Sequence, residues 1–330
     1  MTTPYRNAIE KRIQELEQYS PPLTAKPDLH SFWEHTLTAA GSKPLNAVRE
    51  EAPTPMPWVT AYKVSYEGYD DTPIRGWYLL PKFGPENNLP CVVLYHGYTE
   101  SSGFPEKYGQ WSLAGFAVFA VDIRGQGGET GNHLPQTFGM AKGWITQGIT
   151  DKESRYYRAI TVDAVKALDW VRSQPEIDPS RIAAAGSDQG GGLALMTAAL
   201  SDVPALAVAN IPNMCHMDFG ILSSTGSLTE AAQFAARFPG LLEQVLDTLS
   251  YFDVLNLADR IRIPVMVSAG LKDTVCMPET VFAAYNRIAG PKLIHTYPFT
   301  GHEVVAYQNR RMLEFVRERL SGGCPPEGLA

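Results

Sequence analysis

The sequence predicts an α/β protein: a doubly wound, mostly parallel sheet with an N-terminal helical and antiparallel extension. Three observations predict it. Residues 91–95 and 116–121 are continuous apolar runs, the pattern of parallel strands buried on both faces. Helix-period segments separate most of the later runs, and strands alternating with helices imply right-handed crossovers within one sheet. Ahead of the first run, residues 58–69 and 74–80 alternate apolar with polar, which reads as two antiparallel strands.

Taken in order, residues 7–17 read as a short helix that Ser20-Pro21-Pro22 ends. A second helix is expected over 29–39, with Phe32, Trp33 and Leu37 apolar. The two antiparallel strands meet near Tyr69-Asp70-Asp71, and Pro81 closes the second. After the runs at 91–95 and 116–121, buried strands are expected at 182–185, 206–209, 265–269 and 293–297. Helices are expected over 156–171, 190–200, 278–288 and 303–320. Residues 129–151 carry glycine and threonine with no clear period, and so long a connection suits a functional or interface element. The expected organisation is therefore an N-terminal helical extension (1–57), one main domain (58–322) with an interface loop (129–151), and a frayed tail (323–330).

The 330 residues suffice for one large α/β domain, and 44% apolar with 19% charged content is that of a chain with a real core. The net charge of −7 argues against a nucleic-acid partner, which usually requires a basic face. Neutral substrates or soluble sugars fit better. The start, Met1-Thr2-Thr3-Pro4-Tyr5-Arg6, has no apolar h-region, and no run suits a transmembrane helix, so neither a signal peptide nor a membrane partner is expected. Cys91, Cys215, Cys276 and Cys324 are widely spaced with no CxxC pair. They suit single thiols in a reducing cytoplasm.

The chemistry is expected at Gly186-Ser187-Asp188-Gln189-Gly190. It has the form of a nucleophile elbow, Gly-x-Ser-x-Gly, between a strand and a helix, with aspartate in the central place. In folds with this elbow the chain order is nucleophile, acid, histidine. Asp188, Asp273 and His302 stand in that order. Asp273 follows the strand that ends near Gly270 and His302 follows the strand at 293–297, so both lie at C-terminal strand ends. An oxyanion hole needs the amide of the residue after the nucleophile and one from an earlier loop. Gln189 supplies the first, and Tyr98, in Tyr95-His96-Gly97-Tyr98, is the candidate for the second.

With these residues in place the chain resembles the cephalosporin C deacetylase and acetyl xylan esterase group, carbohydrate esterase family seven. Arg124-Gly125-Gln126, the elbow and His302-Glu303 match its signature trio. Ser31-Phe32-Trp33-Glu34, Tyr156-Tyr157-Arg158, Leu249-Ser250-Tyr251-Phe252-Asp253 and the stretch 280–286 also look like the family. The resemblance covers about 16–320. It implies an α/β-hydrolase fold, no metal or other cofactor, and removal of acetyl groups from small acetylated sugars, xylo-oligosaccharides or cephalosporin C. It also implies homo-hexamers in which 129–151 reaches between subunits.

The departure from the family pattern is Asp188, either natural or introduced. An ionised aspartate needs no base, and its attack on an acetyl ester would give a mixed anhydride and expel an alkoxide that needs a proton. Asp188 and Asp273 flanking one imidazole would favour its protonated form, so His302 would arrive as an acid. An alternative is an aspartate nucleophile that attacks an sp3 carbon, as in haloalkane dehalogenases and epoxide hydrolases, although Gln189 stands where dehalogenases carry a halide-holding tryptophan. A third reading is a non-catalytic sugar-binding homologue. A fourth shifts the nucleophile to Ser187, whose side chain would point away from the pocket. Trp111, Tyr98 and Pro212 are candidate acyl-pocket residues by position. Arg124 is expected to make a structural ion pair with Asp122 or Glu153, and Glu303 to cap the last helix. Cys215-His216 lacks a third metal ligand at the usual spacing and is read as packing.

Overall fold

The computed structural model describes residues 5–136 and 142–321. The expected tail (323–330) and five residues of the interface loop (137–141) lie outside the described residues. One nine-stranded sheet organises the chain in the order β1-β2-β3-β5-β4-β6-β7-β8-β9. Its strands are β1 (Val48–Ala52), β2 (Val59–Glu67), β3 (Pro73–Pro81), β4 (Leu89–Tyr95), β5 (Ala117–Asp122), β6 (Ile177–Ser187), β7 (Leu206–Asn210), β8 (Val265–Gly270) and β9 (Lys292–Tyr297). The first three strands and the β3–β5 pair are antiparallel. Every pair from β5 through β4 to β9 is parallel.

The helices are α1 (Ala8–Glu17), α2 (Leu29–Gly41), α3 (Gly109–Leu113), α4 (Tyr156–Arg172), α5 (Gln189–Leu200), α6 (Met217–Ser223), α7 (Leu228–Arg237), α8 (Leu242–Ser250), α9 (Pro278–Arg287) and α10 (Ala306–Leu320). The central strands divide them into two layers because neighbouring side chains on a strand face opposite ways. Val93, Phe119 and Ala184 pack with α4, α5 and α9 in the larger core. Val92, Val118 and Ala183 pack with Trp111 of α3 and with Met312, Phe315 and Val316 of α10 in the smaller one. The chain leaves β4 toward β5 on one side and returns to β6 on the other. The crevice beyond the C-terminal ends of β4 and β6 is therefore a topological switch point, where open α/β sheets bind ligands.

Several expectations need correction. The reading of 1–57 as helical omitted β1, whose Val48-Arg49-Glu50-Glu51-Ala52 pairs along β2 from Val48↔Ser65 to Ala52↔Ala61. An edge strand need not alternate apolar residues, and its charges discourage further pairing. Arg49 lies 3.9 Å from the centre of the Tyr62 ring and pairs with Glu176 at 2.9 Å. α6, α7 and α8, between β7 and β8, were not anticipated; they are short and are separated by Ser-, Thr-, Gly- and Pro-containing breaks. The last helix starts at Ala306, with Val305 in the cap position, so Glu303 does not cap it.

Candidate active site

The elbow follows β6 directly. Asp188 has φ +52° and ψ −122°, a backbone state that costs a non-glycine residue energy and needs support from its surroundings. The support is visible in three bonds. Asp188 N–H donates to the Asn210 carbonyl at 3.0 Å, and the Asp188 carbonyl accepts from Gly192 N at 3.0 Å and Asn213 N at 2.9 Å. The turn also runs very close to β4. A Cβ on Gly190 would lie 2.0 Å from the Tyr95 carbonyl oxygen, which explains the glycine.

Three loops bring the functional groups together. His302, beyond β9, places Nδ1 2.9 Å from Asp273 Oδ2 and Nε2 3.8 Å from Asp188 Oδ1. Asp273, beyond β8, is buried, and its Oδ1 accepts from Val275 N at 2.8 Å and Cys276 N at 3.0 Å. One imidazole therefore faces a carboxylate at each nitrogen. Burial, the largest single influence, pulls the His302 pKa down. The bond to Asp273 and the charges of Asp273, Asp188 and Glu100 outweigh it, so the imidazole titrates above its ordinary value.

The Asp188 carboxylate has further partners. Its Oδ2 accepts from Tyr98 N at 2.8 Å. Its Oδ1 accepts from Asn213 Nδ2 at 3.1 Å and from the Cys276 thiol at 3.2 Å. The Tyr98 amide, the candidate oxyanion donor, is thus bonded to Asp188 itself. Gln189 is the first residue of α5, and its buried side chain accepts from Gln126 at 3.1 Å. Tyr98 is held at its other end too: its hydroxyl donates to Glu230 Oε2 of α7 at 2.6 Å and accepts from Trp144 N at 2.9 Å. Burial raises the Glu230 pKa, against the opposing bond from Tyr98 and charge of Lys142.

Behind the site, Arg124 forks onto Asp163, with Nε to Oδ2 at 2.6 Å and Nη2 to Oδ1 at 2.8 Å, and reaches Asp70 at 3.0 Å. The expected partners Asp122 and Glu153 are engaged elsewhere. Asp122 accepts from Ser102 N and Thr130 N, and Glu153 pairs with Arg158. Gly125 follows at φ +70°. Gln126 then accepts from Thr99 N at 2.9 Å and donates to Tyr156 and Gln189. This run ties the Tyr98 loop to α4 and α5. His96 steadies the same loop. Its Nε2 accepts from Ile123 N at 2.9 Å, which leaves Nδ1–H to donate to the Gly97 carbonyl at 2.8 Å.

Trp111 lines a cavity of about 160 Å³ on the α3–α10 side together with Ser187, and Asp188 does not line it. Pro212 is buried where it would meet a Cβ on Gly191 at 3.2 Å, so it backs α5. Ser187 thus faces the opposite side of the elbow from His302. Cys215 and His216 are buried, the latter stacked 5.3 Å from Phe219. Sequence reasoning missed Asn213, Cys276 and Glu230. They come from loops and α7, and no motif marks them.

Known proteins bear on this geometry. The family model for acetyl xylan esterase (AXE1) matches residues 7–319. The acetyl xylan esterase from Paenibacillus sp. R4 is 39% identical and superposes with a TM-score of 0.90 over 93% of this chain and 99% of that one. Acetyl xylan esterase 1 from Thermoanaerobacterium sp. is 29% identical, with a TM-score of 0.88 over 93% and 98% of the two chains. The acetyl esterase Axe7A of Xylanibacter ruminicola is 27% identical over 210 residues, 62% of this chain but 47% of that protein. The aligned region therefore spans about half the length of that curated relative.

Proposed function

The chain belongs to the acetyl xylan esterase family, and on that premise we propose that it is a hydrolase of carboxylic esters built to remove acetyl groups from small acetylated sugars such as xylo-oligosaccharides. The observation that carries this reading is the convergence of Asp188, His302 and Asp273 beside the Tyr98 amide. Asp188 is the nucleophile. Its carboxylate attacks the acetyl carbon, His302 Nε2–H gives the departing sugar oxygen its proton, and Asp273 orients the imidazolium. The neutral imidazole left behind then activates water against the acyl carbonyl, which regenerates the Asp188 carboxylate and releases acetate. The Gln189 and Tyr98 amides are the donors to developing oxyanion charge.

The bond from Tyr98 N to Asp188 Oδ2 makes this route costly, because it engages one of those donors before substrate arrives. The same bond favours a second reading. An aspartate with one oxygen fixed by an amide and the other near imidazole suits attack on an sp3 carbon, followed by hydrolysis of the alkyl ester with His302 as base. One protein and one experiment separate the two. Asp188→Ser should raise hydrolysis of 4-nitrophenyl acetate and acetylated xylo-oligosaccharides, since serine frees the Tyr98 amide and restoring one such donor is worth about 10²–10³ in rate. A folded Asp188→Ser protein with no gain on any small acetyl ester overturns the esterase reading. Asp188 that gains heavy oxygen in a single turnover in labelled water, with a carbon electrophile as substrate, supports the second. The net charge of −7 supports a neutral substrate over nucleic acid or a membrane surface. Among the described residues three buried free thiols, Cys91, Cys215 and Cys276, support residence in a reducing cytoplasm.

A further inference from the structure

We infer that Asp188, Cys276 and His302 together form a binding site for one divalent cation of borderline softness, with Zn²⁺ the ion that fits. Asp188 Oδ1, Cys276 Sγ and one ring nitrogen of His302 all lie within 4.8 Å of one another. Asp188 Oδ1 is the shared vertex, 3.2 Å from the sulfur and 3.8 Å from Nε2. Metal–ligand distances of about 2.0–2.3 Å in a tetrahedral zinc site put neighbouring ligand atoms about 3.3–3.7 Å apart. Two edges of the triangle are thus a few tenths of an ångström from that spacing. The third closes by turning His302, whose side chain keeps 30% of its accessible surface.

The donor set argues for the kind of ion. One sulfur, one imidazole and one carboxylate select zinc over magnesium or calcium, which prefer oxygen throughout. Three protein ligands also leave a fourth position for water, the arrangement of zinc sites that stay open to ligands. The outer partners are present as well. His302 Nδ1 is bonded to Asp273, which orients a ring so that Nε2 faces a metal. Asp188 is fixed through its other oxygen by Tyr98 N. Asn213 steadies Oδ1 and leaves its second lone pair free for the ion. On binding, the Cys276 thiol and the His302 Nε2–H each give a proton to solvent as the sulfur–zinc and nitrogen–zinc bonds form; no electron changes hands. A serine at position 188 would offer only a neutral hydroxyl, so the site exists because aspartate stands there. The inference rests on this geometry alone and not on the esterase reading.

The test uses the full chain, freed of metal with a chelator and titrated with zinc sulfate by equilibrium dialysis and calorimetry. One Zn²⁺ per chain is expected. Asp188→Ser and His302→Ala should each bind at least about tenfold more weakly, and Asp273→Asn about 10–100-fold more weakly. Co²⁺ in place of zinc should give a thiolate-to-metal charge-transfer band that Cys276→Ser abolishes. Circular dichroism identifies variants that fold, and His302→Ala, on the exposed side of the site, serves if Cys276→Ser does not. Absence of stoichiometric binding overturns the inference. So does unchanged affinity in Asp188→Ser and His302→Ala, or a cobalt band that survives in Cys276→Ser through Cys91, Cys215 or Cys324. Each of these failures leaves the esterase reading, which is decided by ester hydrolysis in Asp188→Ser, untouched.

Discussion

His302 carries two carboxylates, and the second one changes what the ring can do. Asp273 alone would orient a neutral imidazole as a base. With Asp188 opposite, the raised pKa keeps the ring protonated further up the pH scale, so it is better placed to give a proton than to take one. Asp188→Asn removes that charge and keeps the shape. Imidazole titration by NMR should show the His302 pKa falling in the Asn protein. The linkage has a definite sign. A histidine raised above its unfolded value of about 6.5 stabilises the fold below that pH, and the contribution is lost as pH rises through the folded pKa. The pH dependence of stability between those two values should therefore flatten in Asp188→Asn. An unchanged His302 pKa would show that Asp188 does not act on the ring. At this scale Asp188, Asp273 and His302 were legible because chain order and strand ends mark them. Asn213 and Cys276 were not, because their roles depend on where a loop passes and not on any spacing.

Among the elements, the strands from β4 to β8 could be read because both faces are covered along a short apolar run, whereas β9, expected as a buried strand, is a sheet edge and only half-buried along its length. β1 could not, since an edge strand with one pairing partner needs no such run, and Arg49, Glu50 and Glu51 resemble an exposed loop. α6, α7 and α8 were hidden for a different reason: none exceeds ten residues, too short to display a helical period clearly. Yet α7 supplies Glu230, which holds Tyr98 from the far side of the site. The connection from β5 to α4 has its own anchor. Arg124 is fully buried and forks onto Asp163 of α4. Arg124→Ala would leave that carboxylate buried and unpaired, at a cost of about 3–5 kcal/mol. Urea unfolding should show that loss. A change below about 1 kcal/mol would show that Arg124 does not anchor this connection, since only exposed ion pairs are worth so little.

For the molecule as a whole, the remaining expectation is assembly. The described parts of the 129–151 stretch fold back on their own chain: Gln147 donates to the Leu134 carbonyl, and Gln244 of α8 donates to Thr150. We propose that the stretch nonetheless reaches a neighbouring subunit, and we expect a hexamer. Light scattering at micromolar concentration should report about six chains; a monomer would remove the interface role. Among the described residues no helix is long and apolar enough to cross a membrane.

The bond between Tyr98 N and Asp188 Oδ2 has one more consequence. Acetate, the product of the proposed reaction, is a carboxylate, and the side chain of Asp188 is acetate attached to the backbone. On that proposal the protein carries a covalently tethered copy of the product, seated on the Tyr98 amide. A tethered group competes at an effective concentration far above that of a free one, about millimolar or higher for short tethers. Any ester entering this crevice meets an occupant that never diffuses away.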